Sequence, residues 1–549
     1  MKNVKNSIFF MVAGVIWLLT GSVTALSQKL FINEFMASNQ FTSEDEDGDA
    51  SDWLELFNPT TQAISLSGHY LTDDVDDRLK WQFPDRMLEP DGFMIIWASD
   101  KDRTGAGQLH TNFKISKSGE YLGLYDKNGN VVDSLSFGEQ KQDISYGRKQ
   151  DGGMEWTFFS QPTPGESNFS DGILLPSPRF SHDQGYYNGP VTISLHSTDQ
   201  TFDIYYTTNG DIPTQSSMKY ESEIRIDTTT AIRAICYDDN ECSSQVVTKT
   251  FLVDESIELP ILSLVTDNSN LYDEEKGIFF NDYKHGSEWE RPAHVSYFKI
   301  ENGLEFDMNA GIRVHGTATR SSRKKSLRLY FRSEYGQSEL NYPVFESKDL
   351  AHFKRLILRM GGQDHNMYTA YWTLIRCPLL QRLHSEVQPT FATSRPFMMF
   401  LNGKLWGIYY FRERVDKYYL EDNFSVQNAD LNKSTWKWGG ETIEGDREHW
   451  DDTFLFFKSK NLGEPENMAI ARQLVDIENF TDHNIFNIFG ANWDWPQNNV
   501  YKFRDRDTNG PWRWIMWDVD AIFGRSSRAK SPTWNAIEWA TRDQVRLDL

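Results

Sequence analysis

The sequence is poor in cysteine and in basic residues, and each shortage excludes a class of protein. Its 549 residues include three cysteines, too few for a disulfide-dense scaffold or for a zinc site built from four thiolates. Lys and Arg number 56 against 79 Asp and Glu, which gives a formal net charge of −23. A surface this acidic argues against nucleic acid as a partner, because a phosphate backbone requires a basic stripe.

Long apolar runs are also scarce, and the one nearest to membrane-spanning length lies at the N-terminus. Lys2 and Lys5 precede the apolar run 8–19, and small residues follow at 23–25. This layout is typical of a secretory signal peptide, residues 1–25, cleaved after Ala25. The run is shorter than the roughly 20 residues of a bilayer span, which favours cleavage over an uncleaved anchor. We therefore expect a secreted, extracytoplasmic protein, with attachment to the cell surface as the alternative.

Aromatic residues, in contrast, are abundant. They make up 14% of the chain and include 18 Trp, and the hydrophobic fraction is 39%. This composition excludes a disordered chain and is sufficient for several cores. The length favours three to four domains. Short strand patterns dominate to about residue 253, and from Leu259 strand and helix patterns alternate.

Residues 28–170 contain short apolar runs separated by turn signals, a pattern that predicts a β-sandwich. The segment resembles the lamin-tail domain in four stretches: INEFMASN, DWLELFNPT, GHYLTDD and PTPGESN. The resemblance implies an immunoglobulin-like sandwich that serves interaction and not catalysis.

A cluster of acidic residues lies inside this first segment: Glu44, Asp45, Asp47, Asp49 and Asp52. Clustered carboxylates beside a glycine suit Ca²⁺, although the spacing is not that of an EF-hand loop. A solvated acidic loop is the favoured interpretation, and a Ca²⁺ site is the alternative.

Residues 174–253 form a second β-rich segment. It resembles the C-terminal-type sandwich of chitobiases and hexosaminidases, on the stretches IYYTTNGDIPT and AIRAICYDD. The resemblance implies a spacer or a weak glycan or cell-surface contact and does not imply glycosidase activity. Cys236 and Cys242 flank a predicted turn, and both a disulfide and two thiols are compatible with their spacing.

The third segment, residues 259–549, carries three motifs, of which the first is GIRVHGTATRSSRKKSLRLYFRSEYG. Gly316 and Thr317 begin a loop of small residues whose backbone N–H groups could approach a phosphate, and Arg320 and Lys324 add positive charge. In the strand that follows, alternation places Lys325 on the face of Leu327 and Leu329, from which we expect it to reach a ligand. The alternative is a solvated basic strand edge.

The second motif is NWDWPQNNVYKF, in which Asn499 follows Asp494 by five residues. Protein kinases have the same separation between the Asp that accepts the hydroxyl proton and an Asn that holds Mg²⁺. An Asx-rich turn that leads into a strand is the alternative.

The third motif is RWIMWDVDAIFG, in which an apolar strand ends at Asp518 and Asp520. Carboxylates at the end of a buried strand suit a hard cation such as Mg²⁺. A strand end in a solvated turn is the alternative.

Together these motifs resemble the CotH kinase family, known from spore coats and from many secreted bacterial proteins. The stretches RMGGQDHNMY and FLNGKLWGIYYFRERVDKYYL add to the match. The resemblance implies an atypical, bilobed protein kinase that uses ATP and Mg²⁺. It also implies roles for individual residues: Asp494 as catalytic base; Asn499 or Asn498, Asp518 and Asp520 as metal ligands; Lys325 as phosphate contact; and Glu413 near the hinge between the lobes.

Two departures qualify the resemblance. The helical stretch YTAYWTLIRCPLLQRLH has no Glu to pair with the phosphate-contacting Lys, and Asp364 before it is a poorer substitute. Only 29 residues follow Asp520, so we expect either a fragment of a longer chain or a C-terminal lobe that is incomplete.

The predicted fold is therefore two immunoglobulin-like β-sandwiches followed by an α+β, kinase-like bilobed domain. The leading function is an exported kinase that transfers the ATP γ-phosphate to Ser or Thr of a secreted or surface protein. The alternative is a surface adhesin or matrix-binding protein that uses the kinase-like segment as a scaffold. A carbohydrate-processing enzyme is a third and weaker candidate, because it leaves Lys325 and Asn499 without a role.

Overall fold

The computed structural model describes residues 30–40, 42–168, 173–239, 242–365, 372–435, 440–524 and 534–541. The predicted signal peptide lies outside the described residues. Within these ranges, no helix has the length and apolar character needed to cross a bilayer. The chain divides into two compact units, Met1–Ile173 and Leu174–Leu549.

The first unit consists of short strands, as its alternating sequence predicts. The strands are β1 (Phe31–Met36), β2 (Asp52–Phe57), β3 (Ile64–Ser65), β4 (Tyr70–Thr72), β5 (Trp81–Gln82), β6 (Met87–Leu88), β7 (Phe93–Ala98), β8 (Leu109–His110), β9 (Glu120–Tyr125), β10 (Val131–Phe137), β11 (Ser145–Arg148) and β12 (Trp156–Phe159). They form a six-stranded sheet, β12-β11-β1-β2-β7-β8, a four-stranded sheet, β10-β9-β4-β5, and the pair β3-β6. One hydrophobic core joins the sheets, with Leu54 on β2 and Leu122 on β9 both buried in it.

The second unit begins with a smaller group of strands. These are β13 (Arg179–Phe180), β14 (Gly185–Tyr187), β15 (Val191–Ile193), β16 (Leu195–His196), β17 (Asp203–Thr207), β18 (Met218–Lys219), β19 (Ile224–Ile226), β20 (Thr230–Tyr237) and β21 (Val247–Val253). Five of them form the sheet β14-β21-β20-β17-β18, in which β14 and β21 are parallel. Cys236 and Cys242 are thiols in this structure, and both are buried.

A closed barrel follows, which the sequence did not predict. Its part of the chain contains β22 (Ile261–Val265), α1 (Asn268–Tyr272), β23 (Arg291–Lys299), β24 (Gly303–His315), β25 (Ser326–Tyr330), β26 (Leu340–Asn341), β27 (His352–Phe353), β28 (Arg355–Arg359), α2 (Arg376–Ser385), β29 (Ser394–Leu401) and β30 (Lys404–Arg412). The barrel order is β22-β23-β24-β25-β28-β30-β29, and β29 closes it by pairing in parallel with β22. Its interior is apolar and includes Leu327, Leu329, Leu356 and Leu358.

The last part of the chain combines helices with a second sheet. Its elements are α3 (Lys417–Phe424), β31 (Ala429–Ser434), β32 (Glu441–Glu444), α4 (Glu448–Ser459), α5 (Pro465–Leu474), α6 (Ile477–Phe489), β33 (Val500–Asp505), β34 (Arg513–Ile515) and α7 (Ala536–Thr541). The sheet order is β32-β31-β33-β34. Ile357 on the barrel packs into one core with Leu431, Phe503 and Trp517, so the outer surface of the barrel strand faces this second sheet.

The barrel also shares a core with the strands that precede it. Leu252 on β21 packs with Ile261, Phe298 and Phe400 of the barrel, and Tyr186 on β14 adds to the cluster. Residues 174–253 therefore lie in the same compact unit as the rest of the C-terminal segment.

Candidate functional site

The outer side of four neighbouring barrel strands carries arginines. Arg313, Arg328, Ile357 and Arg412 are direct cross-strand partners on β24, β25, β28 and β30. Directly opposed residues point to the same side of a sheet, so all four share the side of Ile357. Arg359 lies two residues beyond Ile357 on β28 and has the same orientation. We call Arg313, Arg328, Arg359 and Arg412 the cationic face.

Three titratable groups report a positive potential at the cationic face. Burial and then Arg328 and Arg359 hold the pKa of His315 well below its ordinary value. Burial would raise the pKa of Tyr330, yet Arg328 and Arg414 lower it. Burial would likewise raise the pKa of Asp518, and Arg359 and Arg412 lower it. The region therefore favours negative charge, although the chain as a whole is acidic.

Asp518 and Asp520 meet the cationic face at Arg359. Nη2 of Arg359 donates a hydrogen bond to Oδ1 of Asp518 and another, 2.7 Å long, to Oδ2 of Asp520. The backbone N–H of Gln363 also donates to Oδ2 of Asp520, at 2.7 Å. The side chain of Asp518 is 24% exposed and that of Asp520 is 5% exposed. Asp518 is thus the more accessible carboxylate of the pair.

Arg412 is buried at the same place without hydrogen-bond partners. Its guanidinium lies 4.0 Å from the ring centre of Trp517, and Nη1 lies 3.8 Å from Oδ1 of Asp518. None of its three nitrogens makes a hydrogen bond to any residue that the structure describes. A buried guanidinium in this state is costly, and such exceptions in folded proteins call for an explanation.

Asp494 and its neighbouring asparagines form one hydrogen-bonded loop. The side-chain amides of Asn498 and Asn499 donate to Oδ2 of Asp494 at 3.0 and 3.1 Å. The backbone of Asn499 has φ of +58° and that of Asp518 has φ of +51°, both in the left-handed region. Non-glycine residues rarely adopt this conformation, and those that do concentrate at functional sites.

The Asp494 loop and the Asp518 segment lie side by side. β33 pairs with β34 so that Tyr501 is opposite Ile515, and the loop that holds Asn499 therefore precedes β33 at the edge where Asp518 follows β34. The backbone N–H of Trp493 donates to the carbonyl of Ala521 at 3.4 Å. The second and third sequence motifs thus come together, with Asp494 and Asp518 separated by 24 residues in the chain.

Comparison with family models identifies all three segments in the predicted order. Residues 24–139 match the Lamin Tail Domain, and residues 182–248 match the Chitobiase/beta-hexosaminidase C-terminal domain. Residues 312–546 match the CotH kinase protein model. The chain carries a CotH kinase family domain. No curated protein matches the sequence.

Within the CotH domain, Lys325 has other partners than the predicted phosphate. Its Nζ lies 2.6 Å from Oδ2 of Asp282 and donates to the carbonyls of Arg320 and Ser322. Alternation along the strand places Lys325 on the side of Leu327 and Leu329, and both of these leucines lie inside the barrel. Lys325 therefore does not share the side of the strand that carries Arg328.

The loop between β24 and β25 contains the other residues of the first motif. Gly316 has φ of +104°, and Thr317 is exposed at the tip. Arg320 is buried and donates to the carbonyls of Asp282, Val314 and Lys284. These hydrogen bonds stabilise the loop, so the role of Arg320 is structural. Lys324 is half-buried, and burial lowers its pKa.

Glu413 lies in the connector between the barrel and α3, where the resemblance implies a hinge. Its Oε2 accepts from Nζ of Lys348 at 2.7 Å and from the backbone N–H of Thr393 at 2.8 Å. Asn423 donates to Oε1 at 2.9 Å. Burial lowers the pKa of Lys348, and Glu413 opposes that shift. Lys348 and Asn423 also line an open cavity of about 560 Å³.

Asp364 binds residues at the start of helix α2 and not the lysine that a kinase-type acid would contact. Its carboxylate accepts from the backbone N–H and the hydroxyl of Thr373 and forms an ion pair with Arg376.

The acidic cluster of the first unit converges on a lysine. Carboxylate oxygens of Asp45, Asp47 and Asp49 lie 2.6, 2.8 and 2.9 Å from Nζ of Lys101. Arg103 adds a second cation at 2.7 Å from Asp47. Asp52 is not part of this cluster and accepts from the backbone N–H of Asn39 instead.

Sequence reasoning missed Arg359 and Arg412, the two cations nearest to Asp518. Each occupies the last position of a strand rich in apolar residues, RLILR and KLWGIYYFR. A charged residue that ends a buried strand was the signal that could have identified them, as it identified Asp518 and Asp520.

Proposed function

We propose that the CotH domain is an ATP- and Mg²⁺-dependent protein kinase that phosphorylates Ser or Thr hydroxyls of an exported or surface protein. The observation that supports the proposal most is Arg412, a buried guanidinium beside Asp518 with no hydrogen bond to any described residue. A polyphosphate brings the negative charge that such a region favours. Export remains part of the proposal on the basis of the N-terminal sequence alone.

The residues present fit Mg²⁺ and a nucleotide. Carboxylate and amide oxygens are the protein ligands that Mg²⁺ prefers, and Asp518, Asp520 and Asn499 supply them, with Asn498 as the alternate. Arg359 and Arg412 would face the phosphate oxygens, in place of the Lys325 contact that the resemblance implied. When bound, Mg²⁺ would neutralise charge on the phosphate oxygens.

Asp494 is the proposed catalytic base. It would accept the proton of the acceptor hydroxyl as that oxygen bonds to the γ-phosphorus and the bond to the bridging oxygen breaks, which releases ADP. Asn498 and Asn499 hold one carboxylate oxygen of Asp494 and thereby fix its orientation. The arginines stabilise charge on the transferred group, so catalysis relies on positioning and electrostatics.

Two substitutions in the full chain separate the proposed roles. Asp494→Ala should retain Mg-ATP binding and lower phosphoryl transfer by about 10²-fold or more, the usual contribution of a general base. Asp518→Asn should lose both, because it removes the negative charge of the more accessible carboxylate that would hold the metal. Asp507→Asn, in the exposed turn after β33, is the matched control and should change neither. Binding is measured as the rise in melting temperature with Mg-ATP, and transfer with Ser- and Thr-rich acceptors.

Two outcomes would contradict the proposal. Equal loss of binding in both variants would make Asp494 a ligand or a structural turn residue. A wild-type chain that binds Mg-ATP but transfers nothing to any acceptor would favour the adhesin, with the CotH domain as a scaffold.

A further inference from the structure

Arg359 occupies the position between the two carboxylates that are proposed to hold the metal. One nitrogen, Nη2, bridges Oδ1 of Asp518 and Oδ2 of Asp520, and the side chain is 10% exposed. A single guanidinium therefore neutralises much of the charge that would attract a divalent cation.

The surrounding backbone fits closely around this bridge. A Cβ placed on Gly362 would lie 2.1 Å from Nη2 of Arg359 and 2.4 Å from Oδ2 of Asp520. Gly362 also has φ of +61°, a conformation that glycine adopts readily. The neighbouring N–H of Gln363 donates to the same oxygen of Asp520. The bridge is thus enclosed on the side of the 361–364 loop.

The bridge has different consequences for a cation and for a nucleotide. A divalent cation alone would place its charge beside Arg359 and Arg412, and like charges at a few ångströms repel strongly in a buried setting. A phosphate group offers acceptor oxygens to the same guanidinium, in the bidentate geometry that arginine favours. Phosphate therefore gives Arg359 an alternative partner, and the carboxylates become available.

We propose that Arg359 couples divalent-cation binding to nucleotide binding, by releasing Asp518 and Asp520 only when a phosphate takes its guanidinium. This inference rests on the proposed function and adds an order of binding to it. Without a nucleotide, the carboxylates remain paired with Arg359 and the affinity for a divalent cation is low. With a nucleotide present, the cation and the phosphates enter together.

The test measures Mn²⁺ binding to the full chain by electron paramagnetic resonance, with and without a non-hydrolysable ATP analogue. Wild-type protein should bind Mn²⁺ at least tenfold more tightly when the analogue is present. Arg359→Met should bind Mn²⁺ without the analogue about tenfold or more tightly than wild type does, because the internal cation is gone. Arg355→Met is the matched control: it lies on the same strand but pairs with Asp416, and its Mn²⁺ binding should equal that of wild type.

The opposite results would overturn the coupling. They are equal Mn²⁺ affinity of the wild type with and without the analogue, or no gain in Arg359→Met. If Arg359→Met does not fold, Arg359→Lys replaces it, since a single shorter ammonium should weaken the bridge and raise the Mn²⁺ affinity of the analogue-free protein. Failure of the analogue to bind wild type under any condition would instead contradict the proposed kinase function.

Discussion

At the scale of single residues, Arg412 and Arg320 are two buried arginines of opposite character. Arg412 has no hydrogen bond to any described residue, whereas Arg320 donates to three backbone carbonyls. Arg412 therefore lowers the stability of the folded state until a ligand pairs with it, whereas Arg320 stabilises the fold.

The same substitution should consequently have opposite effects at the two positions. Arg412→Met should leave the free energy of unfolding unchanged or raise it by about 1–4 kcal/mol, as when buried charges are replaced by apolar groups, and should weaken Mg-ATP binding. Arg320→Met should lower the free energy of unfolding by about 3 kcal/mol, because three carbonyls lose their donor. Urea denaturation and nucleotide titration measure both. Strong destabilisation by Arg412→Met would contradict a ligand-binding role.

Glu55 predicts a pH dependence of the first unit. Burial raises its pKa to about 8, although Gly165 and Asn33 donate to it. Between the two pKa values, the Glu55 carboxyl is protonated in the folded state and ionised in the unfolded state, where its pKa is near 4.5. Its contribution to the free energy of unfolding is therefore greatest below about pH 4.5 and is lost as the pH rises to about 8. The loss should approach about 1.4 kcal/mol per pH unit within this window.

Glu55→Gln should reduce this dependence, because an amide keeps an acceptor oxygen and carries no charge. Asp52, whose pKa burial raises to about 6, contributes part of the remainder. Melting temperatures of the first unit between pH 5 and pH 8 measure the effect. Glu155→Gln, at a side chain that is 82% exposed, is the control and should behave as wild type. A Glu55→Gln variant whose melting temperature falls with pH as steeply as that of wild type would show that Glu55 ionises normally.

At the scale of elements, the connector after β30 depends on the pair of Lys348 and Glu413. Both side chains are at most 10% exposed. Lys348→Met should lower the free energy of unfolding by about 3–5 kcal/mol, since it leaves the Glu413 carboxylate buried without its cation. Lys348→Met combined with Glu413→Gln should recover most of the loss, because the amide still accepts from Thr393.

An exposed ion pair at the end of α2 provides the comparison for the Lys348 and Glu413 substitutions. Arg382 and Glu386 are paired, with side chains that are 67% and 62% exposed. Arg382→Met should change the free energy of unfolding by about 1 kcal/mol or less. If Lys348→Met were equally mild, the connector pair would not stabilise the junction.

At the scale of the whole molecule, the core shared by β21 and the barrel determines which fragments are stable. Residues 259–549 alone would expose Phe298 and Phe400, which Leu252 and Tyr186 cover in the second unit. Burial of two such side chains contributes about 3 kcal/mol or more. We therefore expect residues 259–549 to melt at least about 5 °C below residues 174–549. Equal melting temperatures, measured by circular dichroism, would show that residues 174–258 can be removed without cost.

The sequence by itself determined the features that depend on near neighbours in the chain. The β patterns of the first two segments, the order of the three domains, and the loop that joins Asp494 to Asn498 and Asn499 all depend on spacings of a few residues. The ends of apolar strands likewise identified Asp518 and Asp520. Such features are local because alternation and turn chemistry act over a few residues.

Only the tertiary structure decided which cations meet these groups. Arg359 lies 159 residues before Asp518 and 161 before Asp520, and closure of the barrel brings them together. Lys325 directly precedes β25 of the same barrel, but the parity of its position directs it away from Arg328. The spacing of a motif does not specify which side of a strand faces the neighbouring sheet, because that depends on which side the core occupies.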